Sequence, residues 1–354
     1  MMTFYPGPSK VYPEIKQFMA DAMDEGILSQ NHRSQPFINL CKETVALVKD
    51  RLDIPSNYHV YFTSSATECW EILSQSFAEL NSLHLYNGAF GEKWMEYRRR
   101  LYTNTYGVEF GLQRQLGMTQ LQKQVPSDTD ILCLTSNETS NATKVSENTL
   151  KAVRERYRNS LIFVDATSSM GGVNHDWLSA DVWYASVQKC LGLPSGLAVM
   201  VCSPFAVEQA QRLNHREHYN SFLHIHEQML NYQTTHTPNI LDIYLLKRVM
   251  EQRAPIRKVA NHLKERMMWV NEELVKYGYQ LLIESRRQRS LTVAAITAAP
   301  EKIDKLKKEA VAAGITLGNG YGKWKPHTLR MANFPAIEDT EVEQLLNFLK
   351  QAIK

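Results

Sequence analysis

The chain has 354 residues, of which 44% are hydrophobic and 22% charged, a composition typical of folded globular proteins and not of disordered ones. Its 40 basic and 37 acidic residues nearly balance, and the formal charge of +3 does not indicate the basic surface that nucleic-acid binding requires. The one basic run, Glu96–Tyr106, is interpreted as a solvated helix face. No apolar run approaches the roughly 20 residues that span a bilayer, so no membrane partner is expected.

The cysteines predict a reducing environment. Their number is odd and no two form a CxxC pair, which fits neither a disulfide framework nor a zinc site. The five are Cys41, Cys69, Cys133, Cys190 and Cys202. The N-terminus has no signal-peptide pattern, so we expect a cytoplasmic protein. The histidines between His215 and His226 lack the partners of a metal site, and no metal is predicted.

Six short segments rich in β-branched or aromatic residues alternate with helical patterns from about residue 40 to 205. These segments are His59–Ser65, Ser82–Phe90, Asp130–Thr139, Ser160–Ser169, Asp181–Gln188 and Leu197–Ser203. One helical pattern follows Ser64 and Ser65, and another begins near Ser146, which is suited to cap it. The alternation predicts an α/β fold with a mainly parallel sheet and helices on both faces.

The pattern changes after about residue 245. A long helical stretch, with a predicted break at Pro255, leads into a compact αβ segment that contains the strands "LTVAAITA" and "TLRMANF". We therefore predict a large α/β domain over 31–245, and a linking helix with a small C-terminal αβ domain over 246–354. The first 30 residues are too few for a domain, and we expect them to pack on the small domain or on a partner.

Polar residues follow the predicted strands. Because ligands of open α/β sheets bind at the carboxyl ends of the strands, these residues are expected to converge on one site. They are Ser64–Thr67, Asn87–Gly88, Asn137–Thr139, Asp165 and Gln188–Lys189.

Lys189 and Asp165 follow two successive strands of this sheet. Lysine is costly to bury unless it is paired or neutral, so a lysine between apolar runs suggests a function. An amine, a carboxylate and a hydroxyl-rich helix start such as Ser64–Glu68 suit pyridoxal 5′-phosphate. The amine forms the Schiff base, the acid holds the pyridine nitrogen, and Phe90 is available to stack on the ring. The alternative is a non-catalytic α/β binding protein.

Several motifs, in order along nearly the whole chain, resemble the class V (fold-type I) pyridoxal-phosphate aminotransferases, and most closely the phosphoserine aminotransferases. The motifs are "YPGPSKVYPEI", "SQNHRSQPFI", "IPSNYHVYF", "SNETSNAT", "VDATSS", "ASVQKCLGLPSGLAVMV", "HTPNILDIYLL" and "LRMANF". The aspartate and lysine segments are the specific ones. The resemblance implies a mainly parallel, seven-stranded sheet domain and a homodimer with shared active sites.

The resemblance also implies roles for individual residues. Lys189 would be the Schiff-base lysine and proton shuttle, Asp165 the partner of the pyridine nitrogen, and Thr139 a neighbour of the phenolic oxygen. The phosphate would be held by Ala66, Thr67, Gln188 and, from the partner subunit, His236 and Thr237. Arg330 would bind the carboxylate of the amino-acid or keto-acid substrate, and His32 and Arg33 would reach it from the partner subunit.

Two departures concern the substrate. Glu68 stands where phosphoserine aminotransferases commonly have an arginine, and Lys323-Trp324, with Lys325 adjacent, replace an expected "HR" pair. The cationic pocket for a phosphorylated substrate is therefore only partly present, and a serine– or alanine–glyoxylate aminotransferase is the alternative. A desulfurase needs a cysteine on a C-terminal loop, and none follows Cys202. A pyridoxal-phosphate lyase is a further alternative.

Overall fold

The computed structural model describes residues 2–113, 116–126 and 129–353. The strands are β1 (Met2–Phe4), β2 (His59–Thr63), β3 (Ser82–Tyr86), β4 (Thr105–Glu109), β5 (Ile131–Thr135), β6 (Asn137–Glu138), β7 (Thr143–Lys144), β8 (Leu161–Asp165), β9 (Val182–Ser186), β10 (Ala198–Cys202), β11 (Gln280–Leu281), β12 (Val293–Thr297), β13 (Ile315–Asn319) and β14 (Thr328–Ala332). The helices are α1 (Ile15–Asp24), α2 (Gln35–Leu52), α3 (Ala66–Ser76), α4 (Ala89–Leu101), α5 (Met118–Gln124), α6 (Glu147–Arg156), α7 (Pro204–Leu213), α8 (Phe222–Met229), α9 (Ile240–Gln252), α10 (Ile256–Lys276), α11 (Pro300–Ala312) and α12 (Asp339–Ala352).

The larger sheet has seven strands in the order β2-β10-β9-β8-β5-β3-β4. Strand β10 runs antiparallel to both of its neighbours, and the other pairs are parallel. Every residue of β5, β8, β9 and β10 is buried, as expected for strands covered on both faces. The mainly parallel seven-stranded α/β fold expected from the sequence is confirmed. Edge strand β4, which is largely exposed, has no counterpart among the six predicted strands.

A second sheet of five strands has the order β1-β13-β14-β12-β11 and its own hydrophobic cluster. Strand β1 runs parallel to β13, so the N-terminal residues join a sheet that otherwise comes from the end of the chain. This pairing directs the residues after β1 toward the larger sheet. The domain boundaries at residues 30 and 245 stay a prediction.

The helix boundaries follow local sequence signals. The hydroxyls of Ser65 and Ser146 accept backbone N–H bonds at the starts of α3 and α6, which satisfies part of each first turn. Helices α9 and α10 are separate and Pro255 lies immediately before α10, as the break predicted. In the part of the chain that the structure describes, no helix is long and apolar enough to cross a membrane.

The interpretation of Glu96–Tyr106 as a solvated helix face is wrong for Arg98, which is 3% exposed. From α4 its guanidinium donates to Ser82 Oγ (2.7 Å) and to the carbonyls of Ser74 (3.0 Å), Phe77 (3.0 Å) and Leu80 (2.9 Å). Burial lowers the pKa of Arg98. Three of these acceptors are carbonyls at or beyond the end of α3 that have no further helical turn to bond, so Arg98 joins α4 to the end of α3.

We expect Arg98→Met to lower the free energy of unfolding by about 2–4 kcal/mol, because it leaves the buried Ser74 carbonyl and Ser82 Oγ without a partner and removes one donor from the Phe77 and Leu80 carbonyls. The measurement is the denaturant midpoint. Arg100→Met, on the exposed side of the same helix, is the control and should change stability by no more than about 0.5 kcal/mol. Equal midpoints for the two variants would contradict a structural role for Arg98.

Candidate active site

A cavity of about 340 Å³ lies where the carboxyl ends of β5, β8 and β9 face the second sheet. The residues that line it come from both sheets, from the first turns of α3 and α4, and from the N-terminal segment after β1. They are Tyr5–Pro8, Ala66, Thr67, Trp70, Phe90, Lys93, Tyr97, Thr135, Asn137, Thr139, Asp165, Thr167, Ser186, Gln188, Lys189, Tyr321 and Arg330. Of the predicted site residues, the structure thus brings together Ala66, Thr67, Phe90, Thr139, Asp165, Gln188, Lys189 and Arg330.

Lys189, three residues beyond β9, is 8% exposed. Its Nζ donates to Ser168 Oγ at 3.1 Å and to Thr139 Oγ1 at 3.3 Å, and lies 5.3 Å from the centre of the Phe90 ring. Burial lowers the pKa of Lys189 to about 8, although the Asp165 carboxylate opposes the shift. A substantial fraction of this amine is therefore neutral near physiological pH.

The N-terminal segment closes over Lys189. A Cβ at Gly7 would lie 2.9 Å from Lys189 Cε, closer than side chains normally approach. Gly7 also has a φ of +159°. A side chain at position 7 would therefore displace the amine end of Lys189, and glycine leaves that space free.

Asp165 ends the central strand β8 and is 4% exposed. Its Oδ1 accepts the Thr167 backbone N–H at 2.9 Å. Burial raises the pKa of Asp165, while the hydrogen bonds of Thr167 and the charge of Lys189 oppose that shift. A carboxylate in this position is suited to hold a cationic ring nitrogen.

The lining of the cavity offers partners for pyridoxal phosphate. Apart from Trp70 and Thr167, whose polar atoms lie next to Asp165, three buried polar atoms of the lining residues have no hydrogen-bond partner among the described residues: Thr135 Oγ1, Asn137 Nδ2 and Gln188 Oε1. Buried polar atoms are rarely unpaired, so these three indicate a polar ligand. The start of α3 faces the same space, and its dipole favours an anion such as a phosphate. The residues therefore fit this cofactor.

Arg330 projects from β14 into the cavity and is 4% exposed. Its Nε donates to the Asn319 carbonyl and its Nη1 to the Thr139 carbonyl, both at 2.7 Å. Burial lowers the pKa of this guanidinium. The two bonds fix its plane beside Lys189, which is the arrangement that a carboxylate clamp requires.

Glu138 lies between Asn137 and Thr139, among the polar residues expected to converge on the site, but it does not line the cavity. Its carboxylate accepts the backbone N–H groups of Phe90 (3.2 Å) and Gly91 (3.1 Å), and also bonds Ser140. It therefore caps α4 and fixes the position of Phe90. Burial raises the pKa of Glu138.

Lys93 and Tyr321 were not identified from the sequence. Lys93 Nζ donates to Tyr321 Oη at 2.6 Å, and the Tyr321 ring stacks on Phe90 with 5.0 Å between centroids. Lys93 lies four residues after Ala89, the first residue of α4, and so one turn along the helix from the cavity wall. The position of Lys93 one helical turn after Phe90 is the sequence feature that could have placed it beside the cavity.

His32, Arg33, His236 and Thr237 do not line the Lys189 cavity. They lie together elsewhere on the chain: Thr237 Oγ1 is 3.2 Å from His32 Nδ1, and Arg33 Nη1 donates to Gln228 and Gln233. His236 and Thr237 line a separate cavity of about 210 Å³. The expectation that these residues act in a partner's site stays a prediction.

The two positions at which the sequence departs from the phosphoserine aminotransferases, Glu68 and Lys323-Trp324, place no cation in the cavity. Glu68 accepts Ser64 N at 2.6 Å and Ser64 Oγ at 2.7 Å, and so bonds to the turn before α3. Lys323 is exposed and pairs with Glu109 at 3.5 Å, and neither it nor Trp324 lines the cavity. Besides Lys189 and Arg330, Lys93 is the basic residue in this lining.

The comparisons with known proteins identify the family of the chain. The model of the class-V aminotransferase family matches residues 6–323, and the chain belongs to this family. A phosphoserine aminotransferase from Cytophaga hutchinsonii has 32% identity to it and a TM-score of 0.94, with 100% of this chain and 99% of that chain covered. A phosphoserine aminotransferase from Corynebacterium glutamicum is 28% identical over 96% of this chain and 91% of its own length. An alanine–glyoxylate aminotransferase from Nostoc sp., at 20% identity, shares the fold with a TM-score of 0.84 and coverage of 100% and 95%.

We expect cyanate, which reacts with neutral amines, to carbamylate Lys189 in the cofactor-free protein with a midpoint at pH about 8. Solvated lysines should titrate at about pH 10.4. Asp165→Asn should move the Lys189 midpoint lower, because the carboxylate that favours the charged amine is lost. Mass spectrometry of the Lys189 peptide over a pH series measures both. A Lys189 midpoint equal to that of exposed lysines would contradict the lowered pKa.

Proposed function

We propose that this protein is a pyridoxal-phosphate-dependent aminotransferase that converts 3-phosphohydroxypyruvate and glutamate into phosphoserine and 2-oxoglutarate, a reaction of serine biosynthesis. The observation that carries the proposal is the buried Lys189, with its lowered pKa, in one cavity with Asp165 and Arg330. The full-length similarity to phosphoserine aminotransferases supports the choice of substrate.

The lining residues have distinct tasks in this proposal. Lys189 would hold the cofactor's aldehyde carbon, Asp165 its ring nitrogen, and Phe90 one face of its ring. The phosphate would lie at the start of α3 beside Ala66, Thr67 and Gln188, with Thr139 near the phenolic oxygen of the ring. When bound, the cofactor withdraws electrons from the substrate Cα.

Proton transfer is the task of Lys189. With a pKa of about 8 it is partly neutral near physiological pH, so its Nζ can take the substrate Cα proton and then return a proton as an acid. The hydroxyls of Thr139 and Ser168 orient that Nζ. The N-terminal segment at Gly7 limits the entry of water above it.

Arg330 would bind the α-carboxylate that every substrate of this reaction shares. Lys93, on the same cavity wall as Phe90, is suited to a second anionic group on the side chain of the substrate. This assignment supports a phosphorylated or dicarboxylic substrate without the family's usual basic residues.

The oligomer and the compartment belong to the proposal as well. We propose a homodimer in which His236 and Thr237 contact the partner's cofactor phosphate, and His32 and Arg33 the partner's substrate. Their position on one surface, outside the Lys189 cavity, supports this. All five cysteines are free and buried, which supports a cytoplasmic location.

The second candidate is a serine– or alanine–glyoxylate aminotransferase, which Glu68 favours because it supplies no cation for a phosphate group. A lyase or desulfurase has less support, since no cysteine lines the cavity among the described residues. A non-catalytic binding protein would not require a buried amine at the strand end.

The test is a panel of half-reactions. Protein carrying the cofactor in its amine form is mixed with 3-phosphohydroxypyruvate, glyoxylate or 2-oxoglutarate, and the return of the aldehyde-form absorbance is followed. We expect 3-phosphohydroxypyruvate and 2-oxoglutarate to restore it, and Lys189→Ala to abolish turnover. Glyoxylate as the sole effective acceptor would establish the second candidate. A colourless protein that takes up no cofactor would exclude both.

A second prediction concerns Lys93. Lys93→Met should raise KM for 3-phosphohydroxypyruvate about tenfold or more, because a charge-assisted hydrogen bond is lost. Lys93→Arg should retain most of the affinity, and KM for pyruvate, whose side chain is uncharged, should not change. A KM that rises equally for both keto acids would contradict a contact with the distal anion.

A further inference from the structure

A second cleft, of about 510 Å³, lies between α10 and the loop that joins β11 to β12. Five basic residues and one acidic residue line it: Lys144, Lys264, Lys276, Arg286, Arg289 and Glu272. The entire chain carries a formal charge of only +3. Positive charge is therefore concentrated in this cleft, and a concave wall with an excess of one sign focuses the field into the space it encloses.

Most of this charge has no acidic partner. Among the described residues, Lys144, Lys264 and Arg286 form no ion pair. Arg289 donates to backbone carbonyls only, those of Ile283 (2.8 Å) and Glu284 (2.9 Å). Lys276, which pairs with Glu273 at 3.0 Å, is the exception.

Two like-charge pairs converge in the cleft. The pKa of Lys144 is lowered by burial and then by the charge of Lys264, and the charge of Glu147 opposes this shift only in part. The pKa of Arg289 is lowered by burial and then by the charge of Arg286. Like charges held near one another destabilise the protein unless an opposite charge lies between them. An anion in the cleft would relieve both repulsions at once.

The cationic walls belong to different parts of the chain. Lys144 ends the β6–β7 hairpin, Lys264 lies on α10, and Arg286 and Arg289 lie on the loop after β11. The hairpin already bonds this loop through Lys144 N to Gln288 O at 2.8 Å and Ser290 N to Ala142 O at 2.9 Å. A ligand with several negative charges can bridge these walls, whereas a monovalent anion neutralises only one of them.

We propose that this cleft is a binding site for a small multivalent anion, a phosphate ester or a polycarboxylate of the size of pyrophosphate or citrate. The hairpin that supplies Lys144 also carries Thr139, which bonds Lys189 and Arg330. The bound anion would join the hairpin to α10 and to the loop, and would stabilise this side of the catalytic cavity.

Titration calorimetry on the cofactor-loaded enzyme tests the site, with pyrophosphate and citrate in separate arms and chloride at matched ionic strength as the monovalent control. The cleft variant is Lys264→Gln with Arg286→Gln. The matched control is Lys302→Gln with Lys307→Gln on α11, which removes equal charge outside the cleft. All four side chains are exposed, so both variants should fold.

We expect one saturable site per chain, about tenfold or more weaker in the cleft variant and unchanged in the control. Binding of pyrophosphate alone would identify a phosphate ester, binding of citrate alone a polycarboxylate, and binding of both recognition by charge, each in support of the site. Equal weakening in the two variants, no effect of either, or no saturable binding would overturn the proposal. Pyrophosphate bound in the catalytic cavity is distinguished because the cleft variant would not weaken it.

Discussion

The rest of the candidate active site depends on the burial of one ammonium group. Removing Lys189 from water disfavours its charged form, and the structure compensates only in part, through the hydroxyls of Thr139 and Ser168, the face of Phe90 and the charge of Asp165. Full compensation would keep the amine charged and useless as a base. The partial compensation leaves it titrating at about 8, where it can both take and return a proton.

This balance requires three separated parts of the chain to meet. The parallel strands supply Asp165 and Lys189, β14 supplies Arg330, and the segment after β1 covers the lysine at Gly7. The pairing of β1 with β13 brings that segment into place, and the Arg330 bond to the Thr139 carbonyl links β14 to the larger sheet. The low polarity around Lys189 is thus a property of the assembled chain and not of its strand alone.

The difference between local strand patterns and contacts made by distant parts of the chain explains what the sequence could predict. Strand ends in a parallel sheet share one edge, so Asp165 and Lys189 could be predicted to meet from pattern and spacing. Lys93 and Arg98 lie on one basic helix, and composition does not reveal that Lys93 faces the cavity while Arg98 is buried beneath α3. Tertiary contacts decide such cases. Strand β4 was missed because it is largely exposed and lacks the apolar run of a central strand.

Chemistry and specificity therefore reside on different elements. The groups that would handle the proton and the ring nitrogen, Lys189 and Asp165, lie just beyond or at the end of buried strands, where a substitution disturbs the packing of the sheet. The groups that would recognise the distal part of a substrate lie on α4 and on the loop after β13, which can change without altering that sheet. This explains how Glu68 can replace a family arginine while the Lys189–Asp165 arrangement persists. Lys93 on α4 lines the cavity, so the positive charge that an anionic substrate would need does not have to come from the start of α3.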